Sequence, residues 1–592
     1  MGRHCILAAL LLVAPVVSRA QSVPEDLLSA SNQVYFRWDG IGKHRSSYAN
    51  TAVGRIIQAE MGPFRASLEA ELHRLLGASQ VSEKLLQGSS PDRLKKLSAD
   101  ADEIFKLLSQ LGQEGFVVAL ELRRLAPLDV QVTLIIPQAG SPFLPVIRAM
   151  GRVVGTEFKE VKLDQTTVLH STVSSAHVCA WHDQGHAILT IGSDTPRVAL
   201  VRARSKGARL TGHHLFQRLS TVRQVETSAR GFVDLAGVIR VTRLAGKEVS
   251  ALLSSLGLDG MKHLTFYSAF RGEATRSVVE LEADWPRPGR HGFVAGRPFR
   301  LADIPAIPPD VSSWSSTSLE LVQSYDFLLR ILELACQLYF PDQIADVQNI
   351  PKQIDEALGM NLRTDLLAAV GDHLVVYHSP SEGPFFLGLT ILLKVKDGSR
   401  VRQQLDTAVK NLARFIGGDV RLQKRIFRGQ ELREVVVRLQ GFFPVPTYTV
   451  YKGWLVLSLF PQPVQGFILR TSGELPAWQA EPRVKEILDK IPAQVSSLSV
   501  SDPRPGLSQL LAHGPLLLGL LKSFSPASTL DVDTFPNASS VTRHLFPNVS
   551  VAVHEGNVYR SESISSLGAP FDWAIVEDLP RLFPFLPFLF AF

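Results

Sequence analysis

The sequence predicts an α+β protein of two tandem duplicated halves, each a mainly antiparallel sheet packed with helices. A hairpin with Arg-Ser four and five positions after its glycine occurs twice, at Thr265–Ser277 and Val549–Ser561, and the two glycines are 556 − 272 = 284 residues apart. Pro24 and Pro308, near the predicted start of each half, are separated by the same 284 residues. Most strand-like runs are joined by short turns and the helical runs stand apart, which favours an antiparallel sheet over a doubly wound one.

The length of the chain predicts more than one domain. Its 592 residues exceed what one hydrophobic core supports, since cores stop growing near roughly 250–300 residues. We expect domains at 21–300 and 301–592, after a leader at 1–20. The proline- and glycine-rich stretch Trp285–Pro298 marks the boundary, because such residues interrupt regular structure.

The N-terminus has the pattern of a secretory signal peptide, from Met1 to Ala20. Arg3 precedes an apolar run, Ile6–Val17, and the small residues Ser18 and Ala20 stand at −3 and −1 of a cleavage site. The apolar run is short for a helix that spans a bilayer. We expect export to the periplasm or cell envelope, and cleavage of the signal or its retention as an anchor stays open.

Periodicity assigns the elements of the first half, because alternation indicates strands and spacings of three and four indicate helices. The predicted elements are a strand at Gln33–Arg37, helical structure over Ser47–Leu76, a short helix entered at Asp100–Phe105, strands at Phe116–Leu120 and Val130–Ile136, a helix at Phe143–Val154, strands within Lys159–Val173, a hairpin at Val178–Thr190 and a helix from Pro196.

The second half is predicted to follow the same order. Its elements are a strand at Ser318–Val322, a helix at Tyr325–Tyr339, a short helix entered at Asp355-Glu356, strands at His373–Tyr377 and Phe385–Val395, a helix at Val401–Ile416, strands within Val420–Leu439, a hairpin at Tyr448–Ser458 and a helix at Pro463–Phe467. A helix and the glycine hairpin close each half. The glycines of the matched hairpins supply the positive φ of a tight turn.

Charge and cysteine usage narrow the function classes. The net charge of +6 is small for this length, and the sequence has no RNP motif, zinc finger or basic tail, so we expect no nucleic-acid partner. The basic groups Arg202–Arg209 and Arg421–Arg428 are expected to lie on solvated strand faces. Cys179 and Cys336 are expected to be buried free thiols, with one bridge between the halves as the alternative.

Several stretches together resemble a known family. They are Leu358–Gly371, the hairpin Tyr448–Ser458 and the run Glu481–Val484, which follow a signal peptide and a Val-Pro-Glu-Asp opening at Val23. In these the chain resembles an exported bacterial (planctomycete-type) protein family of unknown function. The resemblance is clearer in the second half than in the first. It implies an exported protein and no particular activity, so it transfers no functional residues.

One polar cluster in the first half suggests a metal site. His182, Asp183 and His186 flank the glycine turn of the Val178–Thr190 hairpin, where two strands can bring ligands together. The spacing differs from the helical HExxH arrangement, and the hairpin Tyr448–Ser458 has no histidine. Histidines that face solvent at a turn are the alternative. The sequence has no nucleophile elbow, P-loop or dinucleotide fingerprint, so we assign no catalytic residue and no cofactor.

The C-terminus is unusually apolar. Its prolines disfavour both a helix and a strand in the barrel of an outer membrane. We expect the tail to pack over its own core, and contact with an envelope partner or a membrane surface is the alternative. The aromatic residues of this tail are Phe583, Phe585, Phe588, Phe590 and Phe592.

Three functional hypotheses follow. The first is an exported, non-catalytic envelope protein that binds or scaffolds, in which Arg276 and Arg560 of the repeated hairpin are paired scaffold positions. The second is a metal-dependent envelope hydrolase that uses His182, Asp183 and His186. The third is a carrier of an apolar ligand or lipid enclosed by a sheet and its helices. We expect a binding protein rather than an enzyme.

Overall fold

The computed structural model describes residues 23–77 and 110–568, apart from the segments 126, 140–142, 155, 206, 222–225, 245, 247–249, 251–252, 255–256, 285–296, 384, 417–419, 438–444 and 525–530. The strands of the first half are β1 (Val34–Trp38), β2 (Phe116–Arg124), β3 (Asp129–Ile136), β4 (Lys159–Leu163), β5 (Thr166–Val173), β6 (Ala176–Asp183), β7 (His186–Gly192), β8 (Thr227–Val233), β9 (Met261–Arg271) and β10 (Ala274–Ala283). Those of the second half are β11 (Ser313–Ser318), β12 (Val370–His378), β13 (Leu389–Val395), β14 (Val420–Phe427), β15 (Gln430–Val437), β16 (Thr447–Tyr451), β17 (Trp454–Ser458), β18 (Ser497–Ser501), β19 (Asn548–Glu555) and β20 (Val558–Ser565).

Helices connect and cover these strands. In the first half they are α1 (Arg45–Asn50), α2 (Ala52–Arg55), α3 (Gly62–Gly77), α4 (Phe143–Val154), α5 (Pro196–Arg204), α6 (His214–Thr221) and α7 (Leu235–Arg243). In the second half they are α8 (Leu321–Tyr339), α9 (Ile344–Leu358), α10 (Gly398–Ile416), α11 (Pro461–Thr471), α12 (Pro482–Leu488), α13 (Pro503–Phe524) and α14 (Ala538–Thr542). Strands and helices are therefore segregated in the manner of an α+β protein, as the sequence predicts.

Within the described ranges, the strands form one antiparallel sheet of twenty strands. The first half contributes the order β4-β5-β6-β7-β3-β2-β1-β8-β9-β10. β10 then pairs with β20, and the second half continues as β20-β19-β18-β11-β12-β13-β17-β16-β15-β14. Counted from its outer edge, the second half has the strand order of the first. The sheet runs unbroken across the predicted domain boundary.

The seam between the halves is the ladder of β10 and β20. Val278 faces Glu562, and 562 − 278 = 284, the offset between the two glycine hairpins. On one side of this pair Arg276 faces Ile564, and on the other Glu280 faces Arg560. The offset of 284 relates Arg276 to Arg560 and Glu280 to Ile564, so it converts one pair into the other. The register of the seam therefore has two-fold symmetry.

Both faces of the sheet carry helices. On the front face, defined by Tyr35 in the first half and Trp314 in the second, α5 and α6 cover one core and α11 and α12 cover the other. On the back face, α4 packs on alternate residues of β3, β5, β6 and β7, and α10 packs on β16 and β17. Because successive side chains of a strand point to opposite faces, Ile135 joins the front core and Ile136 the back core.

Several predictions of local structure are wrong. Arg202 and Arg204 lie on α5 and not on a strand face, and the strand predicted from Phe385 begins at Leu389, after a 3-10 turn. The second half opens with the strand Ser313–Ser318, which buries Trp314, and the predicted strand at Ser318–Val322 overlaps the start of α8. A serine-rich run gives little hydrophobic alternation, so the strand signal was weak. Asp355-Glu356 lie in the last turn of α9, which Gly359 ends with φ 67°. The Asp355 carboxylate accepts a hydrogen bond from the Leu362 amide at 2.8 Å, so it caps the following turn instead of entering a helix.

Other sequence predictions fall outside the described residues. They are the signal peptide Met1 to Ala20, the acidic helix entry at Asp100–Phe105, most of the boundary stretch Trp285–Pro298, and the aromatic tail with Phe583, Phe585, Phe588, Phe590 and Phe592. No helix within the described ranges combines the length and the apolar composition needed to cross a bilayer.

Candidate ligand-binding site

A pocket of about 420 Å³ opens on the front face where the two halves meet. Its volume lies within the range of about 300–1,000 Å³ that is usual for small-molecule sites. We call it the junction pocket. Both halves contribute to it, and its lining residues are Arg271, Ala274, Arg483, Glu486, Ile487, Lys490, Ile491, Pro492, Val549, Val551, Val553, Glu555, Arg560, Glu562 and Ile564.

The floor of the junction pocket is apolar. Val549, Val551 and Val553 occupy alternate positions of β19 and therefore project from the same face of the sheet. Ile564 of β20 adjoins this row, because it pairs with Val549 in the ladder. Ile487 of α12 and the segment after that helix form the opposite wall. An apolar chain laid on this floor would remove hydrocarbon surface from water on both sides.

The first half differs at the equivalent place. The offset of 284 relates Val551 to Tyr267, so a large side chain occupies the position where the second half has a valine. The Tyr267 hydroxyl group is half-buried, and this burial raises its pKa. Within the described residues, the equivalent of the valine row in the first half is Thr265, Tyr267 and Ala269.

The rim of the junction pocket carries four cations and three carboxylates. Lys490 donates to Glu486 at 2.6 Å, and both side chains are exposed. Arg560 lies 3.4 Å from Glu562 and 3.8 Å from Glu280, which are long separations for an ion pair, and its side chain is 39% exposed. Arg271 is exposed, and its charge helps Lys490 to lower the pKa of Glu486. Arg560 and Arg271 are thus held less tightly by carboxylates than Lys490 is, and an anion can compete for them.

The neighbouring pair of Arg276 and Glu562 explains why Arg560 is loosely held. Arg276 donates from Nε to Oε1 at 2.7 Å and from Nη2 to Oε2 at 2.9 Å, so it engages both oxygens of the carboxylate. Burial alone would raise the pKa of Glu562, and the bonds from Arg276 lower it below its ordinary value. Glu562 thus stays ionised, and both of its carboxylate oxygens already accept hydrogen bonds from Arg276, which leaves only a long contact for Arg560. Arg276 is a scaffold position, whereas Arg560 lines the pocket.

Arg483 ties the pocket to the first half. It donates to Glu273 Oε2 at 2.7 Å, while Arg55 donates to Oε1 of the same carboxylate at 2.7 Å. The hydrogen bond from Arg483 is the main reason that the pKa of Glu273 is lowered. The guanidinium also lies 3.3 Å from the ring centroid of Phe546, a cation–π contact. These contacts fix α12 above the valine floor.

The predicted metal ligands have other partners in the structure. His182 Nε2 lies 2.9 Å from the Ala139 carbonyl oxygen, and Asp183 accepts a hydrogen bond from Arg204 at 2.6 Å. His186 is buried, with its Nδ1 3.4 Å from the Gln138 amide. No group of three or more His, Cys, Asp or Glu side chains that could hold a metal ion occurs among the described residues. The metal site stays a prediction that the geometry does not favour.

The two thiols outside the predicted signal peptide match the prediction. Cys179 and Cys336 are both buried and free. Burial raises the pKa of the Cys179 thiol to about 11, so the sulfur stays protonated and unreactive at neutral pH.

Sequence reasoning missed the junction pocket. Its residues come from three separate parts of the chain, 271–274, 483–492 and 549–564, and the pairing of β10 with β20 brings the first next to the last. One signal was present: Val549, Val551 and Val553 alternate, and Glu555 continues the same face of the strand with a charge.

Comparisons with known proteins show no family for this chain. No protein-family model and no curated protein matches it. Among solved structures it is similar to crystal forms I, III and IV of TP0453, at 11%, 11% and 9% sequence identity. Each comparison covers 45% of this chain and 82% of the other, with TM-scores of 0.23, 0.24 and 0.22. Similarity at this level carries no argument about function.

Proposed function

We propose that this protein is an exported, non-catalytic binding protein whose junction pocket takes an anionic amphiphile, such as a long-chain carboxylic acid or an acidic lipid. The observation that carries the proposal is the combination of a valine floor with loosely paired arginines on the rim. Export rests on the N-terminal sequence pattern and on the resemblance to the exported family of unknown function.

The chemistry of the pocket supports an amphiphile over a wholly apolar ligand. Val549, Val551 and Val553 suit a hydrocarbon chain, because burying apolar surface contributes about 25 cal/mol per Å². Arg560 and Arg271 suit an anionic head group, since a guanidinium can donate two parallel hydrogen bonds to a carboxylate or phosphate. A ligand with both parts uses the floor and the rim together.

We also propose that the two halves are copies of one unit. The shared strand order and the two-fold register of the seam support this, because a duplicated domain can pair with its copy as two subunits pair in a symmetric dimer. In this view Tyr267 and Val551 descend from the same position and have diverged, so only the second copy has room for the pocket. A tyrosine at position 551 should therefore close the junction pocket.

The first test closes the pocket with the residue of the other half. Val551→Tyr should abolish saturable binding of a fluorescent long-chain fatty acid to the purified protein, because the phenol ring fills the space over the floor. Val279→Tyr is the matched control, since Val279 is 40% exposed on the opposite face of the seam. The control should bind like the unaltered protein. Equal binding by both variants would show that the ligand lies elsewhere.

The second test concerns the charge on the ligand. Arg560→Gln should weaken binding of the acid about tenfold and leave binding of its methyl ester unchanged, because only the acid uses the guanidinium. Arg425→Gln is the control, since Arg425 is a comparably exposed arginine on β14. If acid and ester lose affinity equally, Arg560 acts through packing and the proposal of an anionic ligand is wrong.

A further inference from the structure

A second pocket, of about 350 Å³, lies in the second half between the N-terminus of that half and α11. We call it the α11 pocket. Pro308 and Pro309 form one wall, and Gln462 and Gln465 of α11 form another. The buried ion pair of Arg470 and Glu382 closes its floor. It shares no lining residue with the junction pocket.

The floor of the α11 pocket holds an incompletely satisfied ion pair. The side chains of Arg470 and Glu382 are only 2% and 9% exposed, and Arg470 Nη1 contacts Glu382 Oε1. Arg470 Nη2 also donates to the hydroxyl group of the buried Tyr377 at 3.1 Å. Arg470 Nε and Glu382 Oε2 have no hydrogen-bond partner among the described residues. Leaving such groups unpaired costs free energy, so a pair that served structure alone would be expected to satisfy them.

The first half has an arginine–glutamate ion pair at the corresponding helix. The offset of 453 − 185 = 268 between the central hairpins relates Arg470 to Arg202, which donates to Glu121 at 2.6 Å. Glu121 also accepts from Arg123 at 2.8 Å and from the Ser31 hydroxyl group at 2.5 Å. The pocket there measures only about 40 Å³. The first half thus completes its ion pair and closes the space, whereas the second half does neither.

The groups around the α11 pocket select a class of ligand. Asp310, Glu382 and Arg470 give the lining a net charge of −1, which disfavours an anion. Carboxylates accept hydrogen bonds, amides such as that of Gln465 donate and accept, and the Ser381 hydroxyl group does both. The prolines supply flat apolar surface between these polar groups. Hydroxyl groups on an otherwise neutral ring match this mixture, because each can donate to a carboxylate and accept from an amide.

We infer that the α11 pocket binds a neutral saccharide of one or two rings, held by Asp310 and Gln465 above the buried ion pair of Arg470 and Glu382. This site goes beyond the amphiphile site and does not depend on it. Asp310 is prepared for the role, since Ser379 Oγ and the Ser381 amide each donate to it at 2.8 Å and fix the carboxylate at the pocket wall.

The test is calorimetric titration of the full chain with a panel of neutral mono- and disaccharides. At least one should bind saturably, and Gln465→Ala should weaken it about tenfold through the loss of hydrogen bonds. Gln403→Ala, on the exposed side of α10, is the matched control and should change nothing. Gln465 is half-buried and outside the ion pair, so its removal should leave the fold intact, which circular dichroism checks.

Three results would overturn the inference. They are no saccharide binding at millimolar concentration, binding that survives in both Gln465→Ala and Asp310→Asn, and binding restricted to cationic amines. Each variant is also titrated with the fatty acid, which distinguishes the two sites. A variant of the α11 pocket should lose affinity for the saccharide and bind the fatty acid normally. If Gln465→Ala lost both the saccharide and the fatty acid, the variant would be unfolded. Saccharide binding by Asp310→Asn would then decide whether the α11 pocket is the site.

Discussion

At the scale of single residues, Gly466 shows how closely α11 approaches the loop after β12. A Cβ atom at this position would lie 2.1 Å from Glu382 Oε1 and 3.1 Å from Arg470 Nη1. Glycine is unfavourable inside a helix by roughly 0.8–1.0 kcal/mol relative to alanine. Its presence here keeps room for the carboxylate of the buried ion pair.

Gly466→Ala should therefore destabilise the protein, by about 1–3 kcal/mol, because the new methyl group overpacks a buried ion pair. Gly519→Ala is the matched control, since Gly519 is exposed on α13 and a Cβ atom added there would have nothing within 4 Å among the described residues. This control should stabilise the protein slightly through helix propensity. Urea unfolding midpoints compare the two, and a stabilising Gly466→Ala would contradict the close packing.

At the scale of elements, the halves are held together by ion clusters beside the seam. Arg543 and His544, which follow α14, contact Glu60 of the first half at 2.6 Å and 3.2 Å. The hydrogen bond from His544, followed by that from Arg543, lowers the pKa of Glu60 to about 2. This carboxylate and Glu273, which is shared by Arg55 and Arg483, connect parts of the chain that are distant in sequence.

The lowered pKa of Glu60 predicts a pH dependence. The folded protein holds this carboxylate ionised from its ordinary pKa of 4.5 down to about 2, so its contribution to stability is complete above 4.5 and disappears as the pH falls towards 2. Glu60→Gln should lower the melting temperature at neutral pH, and the difference from the unaltered protein should shrink across that window. A difference that is constant with pH would mean that Glu60 acts by packing alone.

The elements that were predicted well depend on local sequence. The turns of β6–β7 and β16–β17 have Gly185 and Gly453 at φ 85° and 81°, as the residue types indicate, and α4 has the predicted bounds Phe143–Val154. The apolar face of α10 also packs as its periodicity indicates. Asp355 was misassigned because an acidic residue between two helical segments can lie in the last turn of the first or at the start of the second. The sequence pattern is the same in both cases.

At the scale of the whole molecule, the seam could not be predicted. Sequence periodicity shows that β10 and β20 are strands, but not that they pair, since Arg276 and Glu562 are 286 residues apart. The sequence therefore did not indicate the continuous sheet or the junction pocket, and the expected domains at 21–300 and 301–592 stay a prediction. Long-range pairing is decided by the fit of whole surfaces, which a reading of local patterns does not contain.

The seam predicts how the halves behave when they are separated. Chains covering 23–284 and 297–568 should associate one to one when they are co-expressed, because each exposes a strand, β10 or β20, that pairs in the intact protein. Val279→Pro should prevent association, since proline removes a donor from the ladder. Size-exclusion chromatography with light scattering measures the complex. Two separate monomers would show that the seam contributes little.

A sheet with one seam has two free ends, and both ends are basic. Among the described residues, β4 pairs only with β5 and β14 only with β15. β4 carries Lys159 and Lys162, and β14 carries Arg421, Lys424 and Arg425 on exposed positions. Two molecules that met end to end would bring these cations together, and like charges on edge strands oppose such pairing. Glu431 and Glu434 of β15 offset part of the charge of Lys424 and Arg425. We expect the remaining like charges to disfavour end-to-end growth of the sheet.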